Sequence, residues 1–221
     1  MERAVIIVAG GSGKRMGSDR PKQFLLLKGR PVLFHTLNAF HVSDPGARIV
    51  LVLPIEHHGT WKDLCNEFKI DIPHTVVAGG KERWHSVKAG LGKLDAKDAI
   101  VAVHDGVRPL ASKELIGRCF HHAERYGSAV PVVPISSSVR QIKANGSIAI
   151  DRSTLRSVQT PQCFKVEMLH RAFAMPFDPA FTDEATMIER MGEKVDLVEG
   201  EDRNIKITTP LDLKVAEVLL G

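Results

Sequence analysis

Glycine and cationic side chains crowd together near the start of the chain: Gly10, Gly11 and Gly13 are followed by Lys14 and Arg15, with Lys22 shortly after. Glycines let a backbone take φ > 0 and bring its N–H groups close to an anion, and the lysines and arginine supply matching charge. The chemistry predicted is the cradling of a polyphosphate. The alternative is an ordinary glycine-rich turn with solvated cations. Two familiar phosphate loops do not fit. A Walker A loop needs Ser or Thr after Gly-Lys, and here Arg15 follows Gly13-Lys14. A dinucleotide fingerprint needs a glycine where Met16 stands.

Three further stretches carry groups able to act on a ligand. His104-Asp105-Gly106-Val107-Arg108-Pro109 closes a predicted strand. Asp105 could ligate Mg²⁺ or accept hydrogen bonds from ligand hydroxyls, and Arg108 could bind a substrate or orient Asp105; a simple surface ion pair is the other reading. His104 reads as structural, because no histidine here has HxxxH or HExxH spacing. The segment GGKERWHSV follows another predicted strand, where Glu82 and Arg83 also suit the start of a helix. Lys206 lies in NIKIT, an alternating run in which Ile205 and Ile207 point away from it. There it serves either as an edge-strand lysine that discourages aggregation or as a ligand contact.

Taken together, AGGSGKRM and PKQF resemble the nucleotide-binding signature of sugar-phosphate nucleotidyltransferases, most closely the 2-C-methyl-D-erythritol 4-phosphate cytidylyltransferase family. The likeness continues in order through GGKERWHSV, VHDGVRP, DRSTLRSVQTPQ, TDEA and VEGEDRNIKITTPLDL. Several separated motifs in one order are more specific than a single loop. The resemblance implies a Rossmann-like nucleotidyltransferase fold and transfer of CMP from CTP to a polyol phosphate, with Mg²⁺ carried mainly by the CTP phosphates. It implies that Arg15, Lys22 and Lys206 act on the phosphates and the transition state. Nucleotide contacts would come from Ala9, Gly10, Gly11, Gly13, Lys14, Gly80, Arg83, Ser86, Asp105 and Gly106. The acceptor would be held by Asp105, Arg108, Ser138, Arg152, Thr160 and Thr182. Thr182 also suits the N-cap of a short helix. Relatives often carry an acidic residue where Lys81 stands, so no side-chain contact is assigned there.

These residues need a scaffold that brings distant stretches to one edge. Val5, Ile6, Ile7 and Val8 form an unbroken β-branched run, which is how a central strand buried on both faces reads. Apolar positions then recur at helical spacing from Pro31 to His41, from Trp61 to Phe68 and from Trp84 to Leu94, alternating with the strand runs ARIVLVLP, HTVVAGG, AIVAVHD and SAVPVVP. Ser112 is a predicted N-cap and Gly127 a predicted stop for the helix between the last two. Gly192 closes the short helix after Thr182, and Thr209-Pro210 opens the last one. Repeated βα units predict a doubly wound, mostly parallel α/β sheet with its site outside the strand C-termini.

Residues 136–155 break that rhythm. VRQIK and SIAID are short runs joined by Ala144-Asn145-Gly146, a hairpin signal. A two-stranded hairpin is marginal alone, so a second subunit is its natural partner; the resemblance implies the same dimerisation arm.

With 221 residues, the rest reads as one domain, 1–221, with the arm inserted. A formal charge of +4 is dispersed and only one Tyr is present, which argues against nucleic acid and for small phosphorylated ligands. No apolar run approaches the ~20 residues that span a bilayer. Cys65, Cys119 and Cys163 lack CxxC spacing, which suggests neither a zinc site nor a disulfide framework and fits a reducing cytoplasm.

Overall fold

In the computed structural model, which describes residues 1–11, 20–94 and 98–221, the first apolar run forms β1 (Glu2–Val8). A strand without polar alternation has to be covered on both faces. Val5 and Ile7 enter one apolar cluster, and Ile6 and Val8 enter another. A short antiparallel pair, β2 (Leu26–Leu27) and β3 (Arg30–Pro31), leads into α1 (Val32–Ser43). Strand and helix then alternate through β4 (Arg48–Leu53), α2 (His58–Glu67), β5 (Thr75–Ala78), α3 (Arg83–Leu91), β6 (Ala99–Asp105), α4 (Lys113–Tyr126) and β7 (Ser128–Pro134). β4 and β6 flank β1 in parallel, and β5 extends the sheet beyond β4. Apolar faces of α1, α2 and α4 join the first cluster, and that of α3 joins the second. The Ser112 side chain accepts the Leu115 N–H at the start of α4, and Gly127 ends it at φ +98°.

Past β7 the chain forms the expected hairpin. β8 (Val139–Lys143) and β9 (Gly146–Ile150) pair with each other across Ala144-Asn145, in a sheet separate from the main one. Gly146 takes φ +120°, which only glycine adopts without strain. Ile142 on this arm is 79% exposed, and Ile148 is exposed on the opposite face of the hairpin.

The return path was not anticipated. β10 (Arg156–Val158) and β11 (Gln162–Lys165) both lie antiparallel to β7, separated by a cis Thr160–Pro161 bond. β11 also pairs antiparallel with β6 and so inserts itself between β6 and β7. This insertion carries Thr160 to the end of β6. α5 (Val166–Ala174), α6 (Glu184–Arg190), β12 (Leu197–Glu199) and α7 (Pro210–Leu220) complete the fold. α5 and α6 cover the face that α3 covers, and β12 runs parallel to β7.

Two local expectations are corrected. α6 is capped by Asp183, whose side chain accepts the Thr186 N–H, and not by Thr182. Lys206 lies in irregular chain and not on a strand. Its alternation survives all the same, with Ile207 buried, Ile205 packed on the same cluster and Lys206 turned outward. The last helix opens as expected, with Thr209 and Asp212 forming a capping box and proline at its first turn. No helix among the described residues is long and apolar enough to cross a membrane.

Candidate active site

The parallel strands β1, β5 and β6 all run toward one edge, and a cavity of about 290 Å³ opens there. β1 delivers Ala9, Gly10 and Gly11 to its wall, β5 delivers Gly80, and β6 delivers Asp105. Lys22 and Gln23 join them from a single 3₁₀ turn, Lys22–Phe24. Gln23 is buried and donates through Nε2 to the Ala9 carbonyl at 2.9 Å, which ties that turn to the end of β1. A Cβ placed on Gly11 would lie 3.5 Å from Cε of Lys22, so the lysine stem runs across the glycine. Gly10 and Gly11 do not take positive φ. Their lack of a side chain therefore serves close approach and not a left-handed turn, which corrects that part of the expectation. Gly13, Lys14 and Arg15 lie outside the described residues.

Asp105 is the electrostatic centre of the cavity. Lys206 Nζ lies 2.9 Å and Arg108 Nε 3.3 Å from its Oδ2, while Arg83 Nε lies 3.7 Å from Oδ1. Burial alone would raise its pKa. Arg83, Lys206 and Arg108 outweigh that and hold the carboxyl well below the usual carboxylate range. The backbone around it is fixed by a chain of buried hydrogen bonds. The Asp105 N–H donates to Thr160 Oγ1 at 3.1 Å, and that oxygen lies 3.1 Å from His104 Nδ1. His104 Nε2 lies 3.0 Å from the Arg108 carbonyl, which can only accept. His104 is therefore neutral with its proton on Nε2, and Thr160 donates to Nδ1. Burial pushes the imidazole down to about 4, in keeping with that state. His104 is structural, as its spacing suggested.

The loop that carries Gly80 follows β5. The Gly80 N–H donates to Ser86 Oγ at 3.2 Å, and Ser86 donates in turn to the Glu82 carbonyl at 3.2 Å. A methyl group on Gly80 would overlap the Cβ of His85, so glycine is required for this turn to close. Arg83 grips both carboxylate oxygens of buried Glu184, one of them at 2.9 Å, while its Nε faces Asp105. Around the cavity Arg83, Arg108 and Lys206 face Asp105 and Glu184, and Lys22, Lys81 and Glu82 also line the wall, five cations against three carboxylates among the described residues. A surplus of positive charge in a half-enclosed pocket suits a polyanion.

The described residues do not form a resident metal site. Among the described residues no three His, Cys, Asp or Glu side chains converge. Cations face both oxygens of Asp105, the carboxylate that the sequence offered for Mg²⁺.

Comparison with known proteins decides the family. The family model described as IspD, 2-C-methyl-D-erythritol 4-phosphate cytidylyltransferase, matches residues 3–221. The chain belongs to that family. It is 49% identical to the 2-C-methyl-D-erythritol 4-phosphate cytidylyltransferase of Bacteroides thetaiotaomicron over 220 residues, covering 100% of both chains. Identity to the enzyme of the same name from Bacillus velezensis is 40%, over 100% of this chain and 96% of that one. The fold superposes on the crystal structure of the cytidylyltransferase from Thermus thermophilus with a TM-score of 0.80 at 32% identity, covering 99% and 98% of the two chains. A 4-diphosphocytidyl-2C-methyl-D-erythritol synthase from Anaerococcus prevotii gives 0.83 at 30% identity, over 99% and 96%.

The described residues bring together part of the site that the cytidylyltransferase resemblance implies. Lys22, Lys206, Gly80, Arg83, Ser86 and Asp105 line the cavity with Ala9, Gly10 and Gly11. Gly106 sits directly behind, its N–H on the Val8 carbonyl at 2.8 Å, and Arg108 reaches Asp105 from the next turn. Thr160 is buried with its hydroxyl engaged by Asp105 and His104, so it positions Asp105 instead of lining the cavity. Ser138, Arg152 and Thr182 lie outside the cavity wall, with Arg152 exposed and donating to the Ser136 carbonyl at the root of the arm.

Three residues of the site escaped sequence reasoning: Gln23, Glu184 and Asn204. Asn204 is fully buried, donates to the Thr160 carbonyl at 2.8 Å and offers its own backbone carbonyl to Arg108 Nη1 at 2.8 Å. All three stand inside the quoted motifs PKQF, TDEA and NIKIT, and their polarity beside buried positions was the available signal.

Proposed function

We propose that this chain transfers CMP from CTP to 2-C-methyl-D-erythritol 4-phosphate, releasing pyrophosphate and forming 4-diphosphocytidyl-2-C-methyl-D-erythritol. The observation that carries the reading is the surplus of cations gathered around Asp105 at the strand ends, in a chain that belongs to this family. An oxygen of the acceptor phosphate attacks the α-phosphorus of CTP in line. That nucleophile is already an anion, so no side chain has to remove a proton from it. The protein's task is to align two polyanions and to neutralise charge building on the α-phosphate and leaving group. Lys22, Lys206 and Arg15 do this, with the glycine backbone and Lys14 along the triphosphate. A cation ~4 Å from a unit of developing charge contributes ~4 kcal/mol at an effective dielectric constant of ~20, about a thousandfold in rate.

Cytosine is read beside Gly80. The amino group of the base donates, so the Gly80 carbonyl accepts from it, while the Gly80 N–H stays on Ser86. Arg108 and Asp105 face the acceptor, and Ser138, Arg152 and Thr182 close over it from the arm and from the start of α6. The exposed apolar residues of the arm, Ile142 and Ile148, are covered in a homodimer, and the arm then completes a neighbouring site. Mg²⁺ enters with the CTP phosphates. Three free cysteines fit a cytoplasmic protein.

The acceptor is tested by incubating the protein with CTP, Mg²⁺ and either methylerythritol phosphate or ribitol 5-phosphate while following pyrophosphate. Release is expected with methylerythritol phosphate. Turnover with ribitol phosphate alone would make this a ribitol 5-phosphate cytidylyltransferase. CTP binding without any pyrophosphate would make it a nucleotide sensor.

A further inference from the structure

Glu184 has no part in the reaction as described, yet it is among the most deeply buried carboxylates of the chain, at 1% exposure. Both its oxygens are held by Arg83, Nη1 on Oε1 and Nη2 on Oε2. A buried carboxylate needs such a partner, and the forked pairing also locks the guanidinium plane. The remaining edge of that plane presents Nε to Asp105 at 3.7 Å. Glu184 is itself anchored. It is the first residue of α6, whose cap Asp183 accepts the Thr186 N–H at 2.9 Å. Gln162 on β11, also 1% exposed, donates to Asp183 Oδ2 at 3.0 Å and accepts the Ala185 N–H at 3.1 Å. A rigid strand therefore holds the helix start, the helix start holds Glu184, and Glu184 aims Arg83 at Asp105.

The two ends of this pair belong to different sides of the cavity. Arg83 opens α3 directly after the loop of Gly80, while Glu184 lies two residues after Thr182. Burial opposes the charge on Arg83, and Glu184 with Asp105 more than compensates, so the guanidinium stays charged throughout. Two of its five N–H groups are spent on Glu184 and its Nε faces Asp105, so most of its donors are turned to protein carboxylates.

We infer that Arg83 and Glu184 form a positioning pair, which sets Asp105 for the acceptor and ties the base-facing loop to the helix that opens the acceptor side. This rests on the cytidylyltransferase reading above. Neither residue touches the reacting atoms; both act through Asp105.

The test compares Glu184→Gln, which keeps the shape and removes the charge, with Arg83→Lys, which keeps the charge and removes the fork, and with the double variant. Four quantities are read: kcat, KM for the acceptor, CTP affinity by calorimetry, and Tm. Each single variant is expected to lower kcat/KM for the acceptor by tenfold or more while CTP affinity changes less than threefold. The double variant is expected to be no worse than the poorer single, because either change breaks one device. Arg83→Lys carries the same expectation if Glu184→Gln does not fold. A lower Tm with kcat/KM per folded molecule unchanged would reduce the pair to a structural bridge and overturn the inference. Losses that simply multiply in the double variant, or an equal loss of CTP affinity, would also overturn it. Wild-type turnover retained in both variants fells this inference alone. No turnover by the wild type with any alcohol phosphate fells the functional reading and this one with it.

Discussion

Replacing Lys22 by alanine lowers kcat by at least ~100-fold while CTP affinity falls much less. The side chain lies in the cavity wall with its stem across Gly11, on a turn clamped to β1 through Gln23 and the Ala9 carbonyl. It is buried, so its charge acts where water screens poorly. If its role is to meet the charge that builds during transfer, the ground state loses little when it is removed and the transition state loses much. Steady-state kinetics beside calorimetric CTP titration separate the two. Equal losses in turnover and CTP affinity would show uniform binding of substrate and transition state. Lys22 stands on the 3₁₀ turn after β1 and in the cavity wall, outside the strands of the sheet, so a Tm measured beside the kinetics is expected to change little.

The second large effect is a recovery. Arg152 stands in the turn Arg152–Thr154 beyond the β8–β9 hairpin, exposed and outside the cavity wall of its own chain. The hairpin is a separate two-stranded sheet with exposed isoleucine, a structure that is marginal without a partner. If the arm of one subunit completes the site of the other, Lys22→Ala and Arg152→Ala complement each other. Each parent is nearly inactive. A hybrid dimer made by co-expression, and isolated through two affinity tags, then has one site carrying both lesions and one carrying neither. Activity should return to about half that of the wild-type dimer, far above either parent, because one site in two is intact. If Arg152 serves its own chain, every hybrid site carries one lesion and nothing is recovered.

The parallel half of the fold was readable because its elements announce themselves locally. An unbroken run of β-branched residues marks β1, helical spacing marks α1 and α3, and Ser112 and Gly127 punctuate α4. The runs AIVAVHD and SAVPVVP coincide with β6 and β7. The antiparallel additions were hidden for the opposite reason. β10 has three residues, too few to show a period, as does the parallel edge strand β12, and β11 is defined by partners far away in the chain. The same division runs through the site. Glycines and cations at strand ends carry a chemical signature that a sequence displays. Glu184 and Asn204 matter through Arg83, Arg108 and Thr160, residues 44 to 101 positions away, and only the fold brings them together. Thr160 shows the reverse case, since its motif suggested a ligand contact while the structure engages its hydroxyl behind Asp105.

The claim that two polyanions are aligned for a single in-line displacement makes a stereochemical statement about the α-phosphorus. One displacement inverts the configuration there, whereas passage through a covalent nucleotidyl-enzyme inverts it twice and returns the original hand. The direct measurement is turnover of CTP carrying sulfur in place of one α-phosphate oxygen, as a single diastereomer, with methylerythritol phosphate as acceptor. Phosphorus NMR of the product against standards of known configuration reads the outcome. Inversion is the result predicted from a cavity of lysine and arginine around Asp105. Retention would place a nucleophilic side chain in the reaction and contradict it.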